Sequence, residues 1–162
     1  MSSSPTGSSE GPSVRRATPG DAPQVARLLY DFNREFDEET PDVETLEGRY
    51  AELIRNREMI VLLIGGGPDG FAQLRFRPWV HTAGLSSYLE ELYVVPDLRG
   101  NGLGRALLET AIETARSEGA DYMDLGTSET DEAARHLYEK AGFTNREGGP
   151  DGPVMLFYER EL

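Results

Sequence analysis

The sequence predicts an α/β protein in which a mixed, mostly antiparallel sheet is flanked by helices. Apolar runs of strand length and apolar stripes of helical spacing follow one another as strand, two helices, three strands, helix, strand, helix and strand. A length of 162 residues, 38% of them hydrophobic, suits one compact domain. Residues 1–12 are rich in Ser, Gly and Pro and are predicted to be a disordered tail, and residues 13–162 to be a single domain.

The first third of the chain predicts one strand and two helices. Residues 14–17 form a short strand candidate, which a Pro-Gly-Asp turn ends. Asp21 is a suitable N-cap for a helix whose apolar residues, from Val25 to Phe36, recur at helical spacing. A second helix is predicted for residues 42–56, after an acidic stretch.

The rest of the chain predicts five strands and two helices. Strands are expected at residues 59–64, 71–77, 85–95, 122–126 and 154–158. The first two of these form a hairpin, because a glycine-rich turn joins them. Helices are expected at residues 102–119 and 131–141, each followed by a glycine stop.

Composition excludes several functional classes. The absence of cysteine excludes disulfides, a cysteine nucleophile and a thiolate metal site. The chain has two histidines, His81 and His136, which are too few for a histidine-rich metal centre. No bound metal is therefore expected. The net charge of −13 disfavours nucleic acid and suits a cationic partner. No apolar run is long enough to span a bilayer and the first residues do not resemble a signal peptide, so no membrane partner and a cytoplasmic location are expected.

The segment from Leu92 to Leu108 carries the clearest chemical signal. A strand ends at Pro96, a glycine-rich turn follows, and a helix begins inside that turn. Glycines allow close approach of the backbone, and outward N–H groups and the helix dipole attract anions, so the segment predicts a pyrophosphate site. It is not a Walker loop, because no Gly-Lys-Ser/Thr follows the turn. It is not a dinucleotide fingerprint either, because Arg105 stands where the third glycine of that motif is required.

Two motifs resemble those of the GNAT superfamily of acyl-CoA-dependent N-acyltransferases. Arg99-x-x-Gly102-x-Gly104 matches the Gln/Arg-x-x-Gly-x-Gly/Ala signature, and the run from Asp131 through Tyr138 to Phe143 is similar to the second signature, Asn-x-x-Ala-x-x-Leu/Phe-Tyr-x-x-x-Gly-Phe. The resemblance covers residues 14–162 and implies the GNAT fold, with acetyl-CoA as cosubstrate. Within the superfamily, the run Tyr88-Leu89-Glu90-Glu91 most resembles the diamine (polyamine) acetyltransferase branch.

The resemblance also implies which residues bind the cosubstrate. The strand before the turn would pair with the pantetheine arm, and the turn would hold the pyrophosphate. One departure concerns Asp131, where the family usually has Asn; a carboxylate accepts a hydrogen bond but cannot donate one, and the residue is equally suited to be a plain N-cap. The cofactor-binding candidates are Leu92, Tyr93, Val94, Arg99, Gly100, Asn101, Gly102, Leu103, Gly104, Arg105 and Asp131.

Acetyl transfer to an amine needs a base and an acid. An alkyl ammonium at pH 7.5 costs about 4 kcal/mol to deprotonate. Glu90 and Glu91 interrupt an apolar strand, and strand alternation predicts that they point to opposite faces, so that only one can enter a given site. The polyamine branch implies Glu90 as the base, with Glu91 or a water chain as alternatives, and the second signature implies Tyr138 as the acid that protonates the thiolate.

The sequence therefore predicts an enzyme, an acetyl-CoA-dependent N-acetyltransferase acting on the primary amine of a small cationic molecule. Three alternatives stay open at this point: an enzyme that acetylates a protein or peptide, one that acetylates an amino acid, and a non-catalytic acyl-CoA-binding regulatory module. Because relatives are often dimers, the resemblance also implies a homodimer.

Overall fold

A computed structural model describes residues 11–162. Five strands form one sheet in the order β1-β2-β3-β4-β5, and every neighbouring pair is antiparallel except β4 and β5, which are parallel. The predicted mixed, mostly antiparallel sheet is therefore confirmed. The strands are β1 (Val14–Arg16), β2 (Ile60–Ile64), β3 (Gly70–Pro78), β4 (Leu85–Val94) and β5 (Ala120–Leu125).

Four helices flank the sheet. Helices α1 and α2 cover one face, and α3 lies on the other together with part of α4. The helices are α1 (Ala22–Glu35), α2 (Val43–Arg55), α3 (Leu103–Ser117) and α4 (Glu132–Lys140). The predicted tail falls mostly outside the described residues, of which Gly11 and Pro12 are the first, so the division into a tail and a single domain stays a prediction.

The core has two layers because both faces of the sheet are covered. Strand β2 shows this directly: Val61 and Leu63 pack with α1 and α2, whereas Leu62 and Ile64 pack with α3. A strand buried on both faces is a continuous apolar run rather than an alternating one, which is the pattern of residues 60–64.

Strands β4 and β5 separate halfway along β4, and this separation positions the site. The parallel pairing ends at Leu89 and Leu125, while β4 continues to pair with β3 as far as Val94. One edge of β4 beyond Leu89 therefore faces an opening instead of a neighbouring strand. The turn that leads into α3 and the loop that leads into α4 lie on either side of this opening.

The strand predicted for residues 154–158 is wrong. This segment has no strand pairing beyond an isolated bridge between Arg146 and Val154. A strand requires a neighbour that accepts its backbone hydrogen bonds, and within the described residues neither β5 nor any other strand pairs with this segment. The outer edge of β5 is consequently free in the described part of the chain.

Candidate active site

A groove of about 1110 Å³ runs between the end of β4, the first turns of α3 and helix α4. Leu92 and Leu137 contribute to its apolar lining. Arg99 lies at its mouth, and Arg105, Arg116 and Lys140 are basic residues farther along its helical walls. Arg105 and Arg116 form ion pairs with glutamates on their own helix, whereas Lys140 has none among the described residues. We call this cavity the loop groove. Its shape and lining suit a long molecule with an apolar stem and an anionic group.

The turn at the mouth of the loop groove presents free backbone amides. The six N–H groups from Gly100 to Arg105 have no hydrogen-bond acceptor in the described part of the chain, and the first bonded amide of the helix is that of Ala106. Gly100 and Gly102 both have a φ of 80°, which an L side chain rarely adopts. These amides lie at the positive end of α3 and are free to bind an anion, and their contact with a pyrophosphate stays a prediction.

The turn allows a matched pair of substitutions. Gly102→Ala is expected to lower the free energy of unfolding by about 1–2 kcal/mol, because the new methyl group meets open space but the φ of 80° is strained for alanine. Gly104→Ala is the control, since its Cβ makes ordinary contacts of 3.6 Å with Leu137 and 3.9 Å with Val94 inside a helix. Urea unfolding of both variants checks this, and equal losses would contradict it.

Arg99 lies away from the free amides. Its guanidinium donates to both carboxylate oxygens of Glu35, at 2.7 and 2.8 Å, and its Nε donates to the carbonyl of Val94 at 2.9 Å. Its hydrogen bonds lower the pKa of the Glu35 carboxyl. Arg99 therefore joins the end of α1 to the end of β4, and its contact with a pyrophosphate stays a prediction.

The three residues before the turn differ in what their side chains contact. Leu92 and Val94 face the loop groove. Tyr93 is buried on the opposite face, where its ring stacks on Phe32 with a centroid distance of 4.8 Å. Since β5 has already left β4 at this point, the backbone of these residues has an open edge to which an extended ligand can pair.

A second cavity, of about 630 Å³, lies on the other side of the open β4 edge. It is bounded by the end of α1, by β4 and by the loop of residues 126–131. Its acidic lining residues are Glu38, Glu90, Glu91 and Asp131. We call it the acidic cavity. It shares Leu92, Val94, Arg99 and Tyr138 among its wall residues with the loop groove. The two cavities therefore meet at the open edge of β4.

The expectation that Glu90 and Glu91 point to opposite faces is wrong, because β4 contains a β-bulge. Gln73 pairs with Glu91 and the next residue, Leu74, pairs with Leu89, so that Glu90 is the extra residue. The bulge interrupts the alternation, and both carboxylates lie on the face that carries the acidic cavity. The local sequence contains no signal for this irregularity.

Hydrogen bonds fix the carboxylate of Glu90. It accepts one bond from Gln73 Nε2 at 2.5 Å and one from Arg75 Nε at 3.1 Å. Gln73, which is buried, in turn accepts a 2.7 Å bond from the hydroxyl of Tyr50. Glu90 is thus an oriented group with a cationic neighbour. The sequence analysis did not find Gln73, although a glutamine inside an apolar strand is a detectable signal for a buried polar network.

Glu91 has a different environment. Its carboxylate has no hydrogen bond or ion pair with the described residues. Burial raises its pKa to about 7, and the negative charges of Glu90 and Glu38 contribute to the same shift. A carboxylate with this pKa can both accept and release a proton near neutral pH.

Tyr138 lies where the loop groove and the acidic cavity meet. Burial raises the pKa of its phenol to about 12, and the nearby charges of Asp131 and Glu91 add to this effect. The hydroxyl is therefore protonated at neutral pH and able to donate a proton. Asp131 caps α4, accepting a 3.0 Å bond from the amide of Ala134, and its contact with the cosubstrate stays a prediction.

Other candidates lie apart from this site or lack chemical features of one. His81 is exposed against the ring of Trp79, and His136 is exposed at the loop groove. Within residues 11–162, no group of three or more His, Asp or Glu side chains is arranged to hold a metal ion. None of the four helices has the length and apolarity needed to cross a bilayer.

The split sheet, with an anion-binding turn on one side and carboxylates on the other, has the architecture of the GNAT fold. The Acetyltransferase (GNAT) family matches residues 23–143, and the chain belongs to this family. It is therefore an N-acetyltransferase of the α/β class, and the family uses acetyl-CoA as cosubstrate.

Similar proteins include enzymes and solved structures from several bacteria. The N-acetyltransferase YhfO of Bacillus subtilis (strain 168), itself uncharacterized, is 31% identical over 83% of this chain and 91% of its own length. A crystal structure of a protein from Arthrobacter sp. FB24 assigned as an acetyltransferase has 44% identity and a TM-score of 0.86, covering 98% of this chain and 100% of that one. An aminoglycoside N(6')-acetyltransferase from Klebsiella aerogenes is 37% identical over 51% of this chain and 59% of its own length.

Proposed function

We propose that the protein transfers the acetyl group of acetyl-CoA to a primary amine of a small polycationic molecule. The observation that carries the proposal is the junction of the two cavities, where Glu91 and Tyr138 line one space beside the open edge of β4. This junction joins a candidate base and a candidate acid to a groove that fits the cosubstrate.

The loop groove fits the cosubstrate in two respects. The six free amides from Gly100 to Arg105 suit its pyrophosphate, and the open backbone of residues 92–94 suits the amide-bearing pantetheine arm. The cosubstrate supplies an activated thioester carbonyl when it is bound. An arm that follows β4 from the turn reaches the junction, because Leu92 and Val94 line both cavities.

The acidic cavity supports a cationic acceptor. Four acidic residues line it, namely Glu38, Glu90, Glu91 and Asp131. Arg99, the one cationic side chain of the described cavity wall, is already paired with Glu35. The overall charge of −13 attracts cations over a longer range. The related Klebsiella enzyme is named for aminoglycosides, and another relative, from Streptomyces lavendulae, for streptothricin. The resemblance to the polyamine branch supports the same class of acceptor but stays a prediction.

In the proposed reaction Glu91 removes the proton that the amine loses as its nitrogen bonds to the acetyl carbon. The sequence analysis assigned this role to Glu90. The two hydrogen bonds of Glu90 favour Glu91 instead, because a base needs an unengaged lone pair and a pKa near the working pH. Glu90 would then position Gln73 and Arg75 and keep the pKa of Glu91 high.

Tyr138 donates its phenolic proton to the sulfur as the carbon–sulfur bond breaks, and water restores that proton. Because its pKa is raised, the phenol of Tyr138 stays protonated at neutral pH and can donate this proton. Because Glu91 and Tyr138 both line the acidic cavity, the two residues can act on the same carbonyl carbon. The transfer is therefore direct, without a covalent enzyme intermediate.

The test is thiol release from acetyl-CoA against polyamines, aminoglycosides, amino acids and short peptides. We expect turnover with the polycationic amines. Turnover only with peptides or amino acids would show that the acceptor is one of these molecules and not a polycationic amine. Binding of CoA without turnover of any amine would support a non-catalytic module instead.

A further inference from the structure

A chain of hydrogen bonds runs from α2 through β3 to the bulge of β4. The hydroxyl of Tyr50 donates to Gln73 Oε1 at 2.7 Å, and Gln73 Nε2 donates to Glu90 Oε2 at 2.5 Å. Tyr50 and Gln73 are both buried, and neither lines the loop groove or the acidic cavity. A molecule bound in either cavity therefore does not touch them, and they can act on it only through Glu90.

The chemistry of its groups gives each bond of this chain one direction. The carboxylate of Glu90 accepts, so the amide of Gln73 turns its NH2 group towards Glu90 and its carbonyl oxygen towards Tyr50. A carbonyl oxygen only accepts, so the phenol of Tyr50 is the donor. Burial raises the pKa of this phenol, and the charges of Glu91 and Glu90 add to the effect, so the hydroxyl keeps the proton that it donates. Tyr50 thereby fixes which way the amide of Gln73 faces.

The chain also affects which carboxylate of the bulge is free. Glu90 and Glu91 both line the acidic cavity, and Glu90 Oε2 accepts from Gln73 and from Arg75. The carboxylate of Glu91 has no hydrogen bond with the described residues. Arg75 alone is a weak anchor for Glu90, because its side chain is partly exposed and exposed ion pairs contribute little. Glu90 therefore depends on Gln73 to stay in place.

We propose that Tyr50 and Gln73 are positioning residues, which hold Glu90 in the bulge and leave Glu91 as the carboxylate of the bulge that is free to take the proton of the acceptor. The assignment rests on the proposed function, in which Glu91 is the base. Side chains in one hydrogen-bond network are coupled, so a change at its buried end alters the behaviour of the group at its open end. Loss of the chain releases Glu90, which then shares the task of Glu91.

The first test observes the chain without any substrate. The sequence has two glutamines, and Gln24, which is exposed on α1, is an internal reference for Gln73. In protein labelled at the glutamine side-chain nitrogen, we expect the NH2 protons of Gln73 to exchange with water at least about tenfold more slowly than those of Gln24. Tyr50→Phe is expected to shift the Gln73 resonances and to speed their exchange, whereas Tyr30→Phe, which removes a hydroxyl from α1 outside the chain, leaves them unchanged. Equal exchange of both glutamines, or a Gln73 signal that Tyr50→Phe does not alter, overturns the proposal.

The second test measures the loss of kcat caused by Glu91→Gln in two backgrounds, the wild type and Gln73→Met. Methionine keeps an unbranched side chain but removes both polar atoms of the amide. In this background we expect the loss to be about tenfold smaller, because the released Glu90 accepts the proton. Adding Glu90→Gln restores the full loss. A merely structural role of Gln73 would give the same loss in both backgrounds, and that result overturns the proposal.

The two tests separate this assignment from the proposed function. No turnover in any background, with a protected Gln73 amide, overturns the proposed function but supports the holding of Glu90. Turnover in the wild type with equal losses in both backgrounds overturns only the assignment. Circular dichroism checks the folding of each variant, and Tyr50→Phe, which keeps the buried ring, replaces Gln73→Met as the background if that variant does not fold.

Discussion

Replacing Glu91 with glutamine is expected to lower kcat/KM about 10²- to 10³-fold at pH 8. The amide cannot accept the amine proton, and general base catalysis is worth about 10²–10⁴ in rate. In the wild type kcat/KM rises with pH through about 7, because Glu91 must be ionised to act and its pKa is raised to about 7. The variant loses the inflection near pH 7 and keeps only the steady rise with pH that deprotonation of the free ammonium gives. Initial rates between pH 5.5 and 9, with the best amine of the panel, check the prediction.

Although Glu91→Gln lowers the activity, it is expected to raise the stability of the folded protein. The pKa of Glu91 is above its unfolded value of 4.5, so the folded protein holds a proton that the unfolded chain releases. The contribution of Glu91 to the free energy of unfolding is therefore fully present below pH 4.5, and it is lost as the pH rises through about 7. Glu91→Gln is therefore expected to be more stable than the wild type at pH 8, by about 1–2 kcal/mol after allowance for solvent screening. Urea unfolding at pH 5 and pH 8 measures the difference.

Glu38→Gln is the matched control for Glu91→Gln. Glu38 lies in the same cavity and carries the same charge, but its side chain is exposed at the rim. We expect its loss to raise KM for a cationic amine a few-fold, with kcat nearly unchanged, because only the attraction of the cation weakens. If both variants lose only affinity, Glu91 binds the acceptor and is not the base.

Tyr138→Phe is expected to lower kcat about 10- to 10²-fold, with KM for acetyl-CoA within about twofold of the wild type. The ring remains to pack against Phe143, so the groove is preserved and only the proton donor is lost. Tyr122→Phe is the control, because it removes the same hydroxyl from a side chain on β5 outside both cavities. Steady-state rates of thiol release compare the three proteins.

Equal activity of Tyr138→Phe and the wild type would contradict the assignment. It would mean that the thiolate leaves without a proton or takes one from water. A loss confined to KM would mean that the hydroxyl binds the cosubstrate. These outcomes differ from the kcat effect that we expect.

Most of the fold could be predicted because each element has a local signal. Glycine and proline mark the turns that end most elements. The spacing of the apolar residues distinguishes the helices at residues 22–35 and 103–117 from the strands between them. The glycine turn before α3 could be located for the same reason, since glycines 100 and 102 take a φ that other residues avoid; that it binds an anion stays a prediction. The motifs resembling the family added the use of acetyl-CoA, which no local pattern contains.

The arrangement of the carboxylates could not be predicted in the same way. Alternation is a rule of regular strands, and the extra residue at Glu90 depends on how β3 pairs with β4. The partner of Arg99 was hidden for a similar reason, because Glu35 is 64 positions away along the chain. Residues 154–158 had the pattern of a strand, but a pattern does not supply the neighbouring strand that a strand needs.

The single lysine of the chain has a chemical consequence for a protein that handles thioesters. Lys140 borders the loop groove, and the other fifteen of the sixteen basic residues are arginines. A guanidinium stays protonated at neutral pH and is not a nucleophile, whereas a lysine amine reacts slowly with thioesters without any catalyst. Spontaneous acylation can therefore neutralise Lys140, whereas the arginines keep their positive charge during long exposure to the acetyl donor.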